Sequence, residues 1–253
     1  MKYTPIIIWM AAALSAVAAE TNPAVPLPPP GYKLAWADEF NNGALDASKW
    51  VYRTGKRYWS AHRPENVAVA DGKLRLLGRK EPADGLEYTC GGIISKQTFK
   101  YGYYESRFKV PAGAGWHTSF WMMKHNGRSG MSDDGVVQEL DVCENDSVDL
   151  HRYGVNVHKH QPKPHLGFGH ANIPTPDLSV DFHVWGCEFT AETVKYFFDG
   201  KLVQTVDAKK FPHAEQSIWL TTIASPLGKT KAVDDTKLPA VAEFDYVRYY
   251  EKK

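Results

Sequence analysis

The chain has almost no net charge, few cysteines and, past its first twenty residues, no long apolar run. Its 30 Lys+Arg nearly cancel 29 Asp+Glu over 253 residues, leaving a formal net charge of +1. That balance argues against a nucleic-acid-binding protein, which shows a basic excess, and against an acidic disordered chain. Three cysteines (Cys90, Cys143 and Cys187) are too few for a disulfide framework and too scattered for a zinc motif. Their odd number leaves at least one thiol free, and spacing leaves open a pairing of Cys143 with Cys90 or Cys187. No internal repeat or composition shift divides residues 32–251, and no sustained 3.6-residue stripe with caps marks a helix. What the chain does have is aromatic residues: 13%, including 8 Trp and 13 Tyr, against an ordinary 43% hydrophobic and 23% charged content.

The one apolar run lies at the start. Lys2 precedes Ile6–Val17, and the small residues Ala16 to Ala19 offer an export cleavage site before Ala19 or Glu20. The run is too short for a membrane span. Residues 1–19 are therefore expected to be a signal peptide. Residues 20–31, with Pro23, Pro26, Pro28, Pro29 and Pro30, are expected to be a Pro-rich linker. Residues 32–253 are expected to form a single catalytic domain, exported as a soluble monomer to the periplasm or the outside of the cell.

That domain has β periodicity throughout. Short alternating segments recur between Gly, Pro, Asp and Asn, as in Lys73–Leu77, Tyr101–Val110, Tyr153–His158, Phe182–Phe189 and Phe244–Tyr250. Asp199-Gly200 between two such runs predicts a tight hairpin. Many strands with turn punctuation imply a sandwich or barrel.

One segment concentrates acids: Gln138-Glu139-Leu140-Asp141-Val142-Cys143-Glu144. Residues i and i+2 of a strand share a face, so Glu139 and Asp141 point the same way and Glu144 points into the core. An unpaired carboxylate there would be costly. A β-bulge between Asp141 and Glu144 re-phases the strand and returns Glu144 to the acid face. Three acids on one face raise at least one pKa. They suit glycosidic bond cleavage, in which one carboxylate is ionised and another protonated, about 5–5.5 Å apart in retaining enzymes. A calcium site or a solvated acidic edge is the competing reading of the spacing alone.

Glu-Leu-Asp-Val-Cys-Glu resembles the bulged E-x-D-x-x-E motif of glycoside hydrolase family 16, in its laminarinase, agarase, porphyranase and carrageenase branch. The resemblance runs in order across about 210 residues. It includes Trp36 to Phe40, Glu65-Asn66-Val67, Tyr101 to Val110, Trp116 to Trp121, His183 to Trp185 and Asp245 to Arg248. It implies a concanavalin-like β-jelly-roll sandwich of two antiparallel sheets with an open cleft. It implies Glu139 as nucleophile, Glu144 as general acid/base and Asp141 as the group that tunes them. His158 resembles a histidine placed near the acid/base, where it would position the substrate or influence Glu144; a hydrogen-bonded sheet histidine is the plainer reading. No cofactor is implied for catalysis. A structural calcium on the convex side is implied at Asp245, the Gly72 carbonyl and Glu39, with an Asp paired to a neighbouring Arg or Lys as the alternative.

Sugar rings stack on aromatic faces. Trp121 is expected near the acids, Trp116 as a rim platform and Trp59 as a further platform. Because Trp116 and Trp121 are five apart, an unbroken strand places them on opposite faces, so at least one belongs to the core. Trp36, Trp50, Trp185 and Trp219 are expected to be structural. His151, His160, His165 and His170 invite a zinc reading, but their spacings match no paired motif.

Three departures bear on substrate. The usual Trp-Pro of the cleft strand is Trp116-His117, the usual Gly before the first catalytic glutamate is Gln138, and Leu220–Pro226 replaces an N-L-A-V-G-G stretch. They weaken a plain β-1,3-glucanase and favour a β-galactan, with Arg57, Arg63, Arg128 and Arg152 available to meet sulfate. The loop Asn126–Gly135 is expected at the cleft edge. The expected activity is therefore a secreted retaining endo-β-glycosidase acting on a β-glucan or a β-galactan of agar, porphyran or carrageenan type. A non-catalytic carbohydrate-binding module of the same fold is the alternative, though such a module has no need for two glutamates flanking an aspartate.

Overall fold

The computed structural model describes residues 28–125 and 135–253. The expected signal peptide, most of the linker, and the loop expected at 126–135, except Gly135, lie outside the described residues. The strands run β1 Tyr32–Asp38, β2 Trp50–Tyr52, β3 Gly55–Arg57, β4 Ser60–His62, β5 Val67–Ala70, β6 Lys73–Ala83, β7 Leu86–Cys90, β8 Gly92–Ser95 and β9 Gly102–Lys109. They continue as β10 Trp116–Met123, β11 Val137–Asp146, β12 Arg152–Gln161, β13 Leu166–Pro174, β14 His183–Phe189, β15 Thr193–Phe198, β16 Lys201–Asp207, β17 Ser217–Ala224 and β18 Ala240–Lys252. Among the described residues the only helices are three single-turn 3₁₀ segments.

The strands form two sheets, as the alternation predicts. An inner sheet of seven runs β13-β12-β11-β10-β17-β8-β2. An outer sheet of eleven follows β16-β15-β14-β9-β18-β6-β7-β4-β3, with β1 on β18 and β5 on β6. Pairing is antiparallel except between β4 and β7, which run parallel, a departure from the fully antiparallel expectation. Asp199 and Gly200 take φ of 46° and 76° between β15 and β16. Both are left-handed, as a two-residue hairpin turn on right-twisted strands requires.

The inward residues of the two sheets make the main core. Leu140, Val142 and Cys143 of β11, Phe120 and Met122 of β10, and Leu220 of β17 meet Phe108, Trp185 and Phe244 of the outer sheet. Phe108 stacks on Trp185 at 3.8 Å and on Phe244 at 4.6 Å between centroids. Truncating such a buried ring to Ala costs about 3–5 kcal/mol. This continuous apolar layer backs the inner sheet and leaves its other face to carry polar groups. All three cysteines are buried, free thiols, so neither pairing of Cys143 forms.

Candidate active site

The bulge expected in β11 is present and sets the geometry. On the β10 side, Phe120 pairs with Cys143 while the next residue, Trp121, pairs with Asp141. On the β12 side, the register shifts between Asp141 and Glu144. Val142 is the extra residue, and it joins Cys143 in the core with 1% and 0% exposure. Two consecutive inward residues are what return Glu144 to the face of Glu139 and Asp141. All three acids line one cleft of about 330 Å³, with Arg53, Arg57, Tyr58, His117, Ser119, Trp121, Met123 and Thr221.

Parity along β10 explains the rest of the wall. His117, Ser119, Trp121 and Met123 face the cleft, while Phe120 and Met122 face the core. Trp121 therefore sits at the acids as expected. It stacks on Trp219 at 4.6 Å and donates from Nε1 to Thr221 Oγ1 at 3.1 Å. The Arg53 guanidinium lies 5.7 Å and 5.4 Å from these two rings. Burial pulls the Arg53 pKa down to about 10. Trp219, expected to be structural, thus serves as the support of the aromatic wall.

Two expected platforms are elsewhere. Trp116 is 2% exposed and packs in a second core with Tyr88, Cys90 and Val233. A Cβ on Gly78 would come within 2.2 Å of its ring, so only a glycine lets β6 pass there. Trp116 is a core residue, because its parity is opposite to that of Trp121. Trp59 packs against that same second core. It borders a separate cavity of about 320 Å³ with Tyr88 and Val233, outside the acid cleft.

The acids do not share one environment. Asp141 is 1% exposed, and burial, then the charges of Glu144 and Glu139, raise its pKa well above the usual carboxylate range. Its carboxyl hydrogen-bonds the Glu139 side chain. Glu139 also meets His160 Nε2 at 3.2 Å. His158 pairs across the strands with Glu139, and its Nε2 lies 3.4 Å from Asp141 Oδ2. Asn156 Nδ2 donates to that same Nε2 at 3.0 Å, so Nδ1 carries the proton and donates to His165 Nε2 at 3.0 Å. Burial lowers the His158 pKa. The expected contact of His158 with the acid/base is replaced by one with Asp141, because the register opposite Glu144 falls on Gly154.

The histidine beside Glu144 is His117, which sequence reasoning noted only as a departure from Trp-Pro. Its Nε2 lies 3.3 Å from Glu144 Oε1 and its Nδ1 2.9 Å from Asp146 Oδ1. Of the four histidines that invited a zinc reading, His160 and His165 stack with each other at 4.9 Å and with His158. Their nitrogens serve hydrogen bonds to Glu139 and His158. Glu139, Asp141 and His158 do hold ligand atoms within 4.8 Å of one another.

On the convex side the expected calcium ligands are committed to arginines. Asp245 Oδ2 pairs with Arg107 at 2.7 Å, and Arg248 donates twice to Glu39 at 2.8 and 2.9 Å. The Asp–Arg alternative describes both carboxylates. Among the arginines expected to meet sulfate, Arg57 lines the cleft. Arg63 and Arg152 pair with Asp84 and Asp149 at 2.8 and 2.9 Å, and Arg128 lies outside the described residues.

Known proteins resemble this chain. The family model "Beta-porphyranase A-D, GH16 domain" matches residues 33–252. A β-glucanase of Rhodothermus marinus is 29% identical over 248 residues, 87% of this chain and 86% of that protein. A β-porphyranase B of Phocaeicola plebeius is 28% identical over 230 residues, 72% of this chain and 71% of that protein. The crystal structure of a non-specific endo-β-1,3(4)-glucanase from family GH16 superposes with a TM-score of 0.77 at 29% identity, covering 90% of this chain and 94% of that one. With a family model matching residues 33–252, the chain belongs to glycoside hydrolase family 16.

Proposed function

We propose that this glycoside hydrolase is a secreted, retaining endo-β-glycosidase that cuts a β-linked galactan of porphyran, agar or carrageenan type. The observation that carries the mechanism is the bulge at Val142, which gathers Glu139, Asp141 and Glu144 in one cleft while Asp141, alone of the three, is buried. Glu139 attacks the anomeric carbon as the ionised nucleophile while Glu144 protonates the leaving oxygen. Water then enters, Glu144 takes its proton, and the glycosyl–Glu139 bond breaks. The protonated Asp141 donates to Glu139 and keeps the proton off the nucleophile. His160 orients Glu139, and Trp121 supplies a sugar platform with Trp219 behind it. Two carboxylates perform both steps, so the chemistry needs no cofactor.

The porphyranase model match and the two cleft arginines, Arg53 and Arg57, support the galactan. The 29% identity to a β-glucanase supports a β-glucan as the second reading. Residues 1–19 would direct export, 20–31 would act as a spacer, and 32–253 would be the single catalytic domain of a monomer. A reducing-end assay on porphyran, agarose, carrageenan, laminarin and mixed-linkage glucan tests this reading. Cleavage of a galactan supports it, and cleavage of the glucans alone reverses the substrate assignment. Binding to any of the five without cleavage would make the chain a carbohydrate-binding module.

A further inference from the structure

His117 stands where both of its ring nitrogens face carboxylates. It is 6% exposed, with Nε2 3.3 Å from Glu144 Oε1 and Nδ1 2.9 Å from Asp146 Oδ1. A neutral imidazole has one N–H and would turn a lone pair toward one of these acids. With Glu144 ionised, as it is once its proton has gone to the leaving oxygen, only the doubly protonated ring satisfies both. We propose that His117 is a buried imidazolium that acts as a positioning residue, gripping one oxygen of the acid/base Glu144 and favouring the anionic state Glu144 adopts after it has given up its proton. This rests on the reading of Glu144 as acid/base.

The surroundings agree with a charged ring. Glu144 and Asp146 approach from β11. The β17 residue opposite His117 is the uncharged Ile223. The cations of the same cleft are Arg53 and Arg57. Burial alone would push the His117 pKa down, but the hydrogen bonds with Asp146 and Glu144 more than reverse this, carrying it up to about 9. The proton count is simple. Glu144 passes its proton to the leaving oxygen and later recovers one from water, while His117 keeps both of its protons throughout.

The same device explains a sequence departure. A proline after Trp116 has no ionisable group. A histidine there places a fixed positive charge beneath one acid of the cleft and not beneath the other two. It acts only when Glu144 is anionic, so its effect belongs to the chemical steps and not to substrate capture.

Two measurements test this. The first is kinetic, on whichever of the five polysaccharides the wild type cuts. His117→Gln keeps a donor toward Glu144 without the charge. It is expected to lower kcat about 10-fold or more with KM changed less than about 2-fold, and to move the alkaline limb of the pH–rate profile to higher pH. A merely structural histidine would leave the limb in place. The second needs no substrate: imidazole ¹H–¹⁵N spectra of the full chain. His117 is expected to carry protons on both nitrogens at pH 7, and to lose one at lower pH in Glu144→Gln than in wild type. A neutral His117 at pH 7, or a titration unmoved by Glu144→Gln, overturns the proposal. So does a His117→Gln enzyme with wild-type kcat and profile. If His117→Gln does not fold, the spectra of Glu144→Gln still decide. A wild type that cuts none of the five polysaccharides would instead overturn the glycosidase reading, while the spectra would still report the charge on His117.

Discussion

The two faces of this sandwich use the same residue types for opposite ends. On the convex face two carboxylates each have an arginine: Asp245 with Arg107, Glu39 with Arg248. In the cleft, Glu139, Asp141 and Glu144 crowd together, and their close partners are histidines. The difference is one of pairing. A carboxylate matched by a guanidinium stays ionised and inert, whereas a buried acid among like charges keeps its proton. Glu105 shows that burial alone gives part of this. It lies in the outer sheet, is pushed up to about 7 by burial, and accepts from Tyr246 at 3.0 Å.

The largest expected effects fall on the cleft. Glu139→Gln should lower polysaccharide hydrolysis by about 10⁴-fold or more while the protein still unfolds cooperatively. Glu144→Gln should cost about 10² to 10⁴-fold. Asp245→Asn on the opposite face should leave both rates alone, and a comparable loss there would dissolve the contrast between the faces.

Asp141→Asn separates charge from shape. The amide keeps a donor toward Glu139, so activity should fall less than in Glu139→Gln. Stability should move the other way. Because the folded-state pKa of Asp141 is raised, the native state holds a proton that the unfolded chain loses above about pH 4, so this group destabilises the fold as pH rises. Asp141→Asn should therefore raise Tm at pH 7, and the gain should vanish toward pH 4. An unchanged Tm at pH 7 would mean that Asp141 is ionised in the native state. His117 has the same sign by another route. Its raised pKa gives stability that is complete below pH 6.5 and lost as pH climbs through about 9.

Smaller effects test the periphery. Trp121→Ala should raise KM several-fold, about 1 kcal/mol of lost ring contact, with kcat changed less. Trp116→Ala should instead cost about 3–5 kcal/mol of stability, since its ring is core. Smallest of all, Glu39→Gln should shift stability by about 1 kcal/mol or less. Chelator treatment should leave Tm unchanged, because arginines already match Asp245 and Glu39; a drop in Tm would show a cation on the convex face.

Much of this contrast was legible in the chain itself, and the limits follow from geometry. Strand identity, the Asp199-Gly200 hairpin and the bulge depend on local alternation, which a sequence carries directly. So does the opposite placement of Trp116 and Trp121, although parity did not say which one faced the sugar. Contacts across strands depend on register, which local patterns do not specify. His158 was therefore expected near Glu144 and instead meets Asp141, while His117 holds the place beside Glu144. A histidine in place of proline on a cleft strand, at a position sharing the parity of Trp121, was the available signal for His117. Arg53 and Trp219 had no such signal. Arg53 follows β2 and Trp219 lies on β17, and only the folded sheet sets them beside Trp121.

A single extra residue in β11 sets Glu139 and Glu144 on one face, where we read them as nucleophile and acid/base for double displacement. Proton NMR of the first products released from the polysaccharide that the wild type cuts tests it most directly. Double displacement predicts that the newly formed reducing end appears first as the β-anomer and mutarotates to the α-form afterwards. An initial α-anomer would mean single displacement by water, and Glu139 would not be the nucleophile.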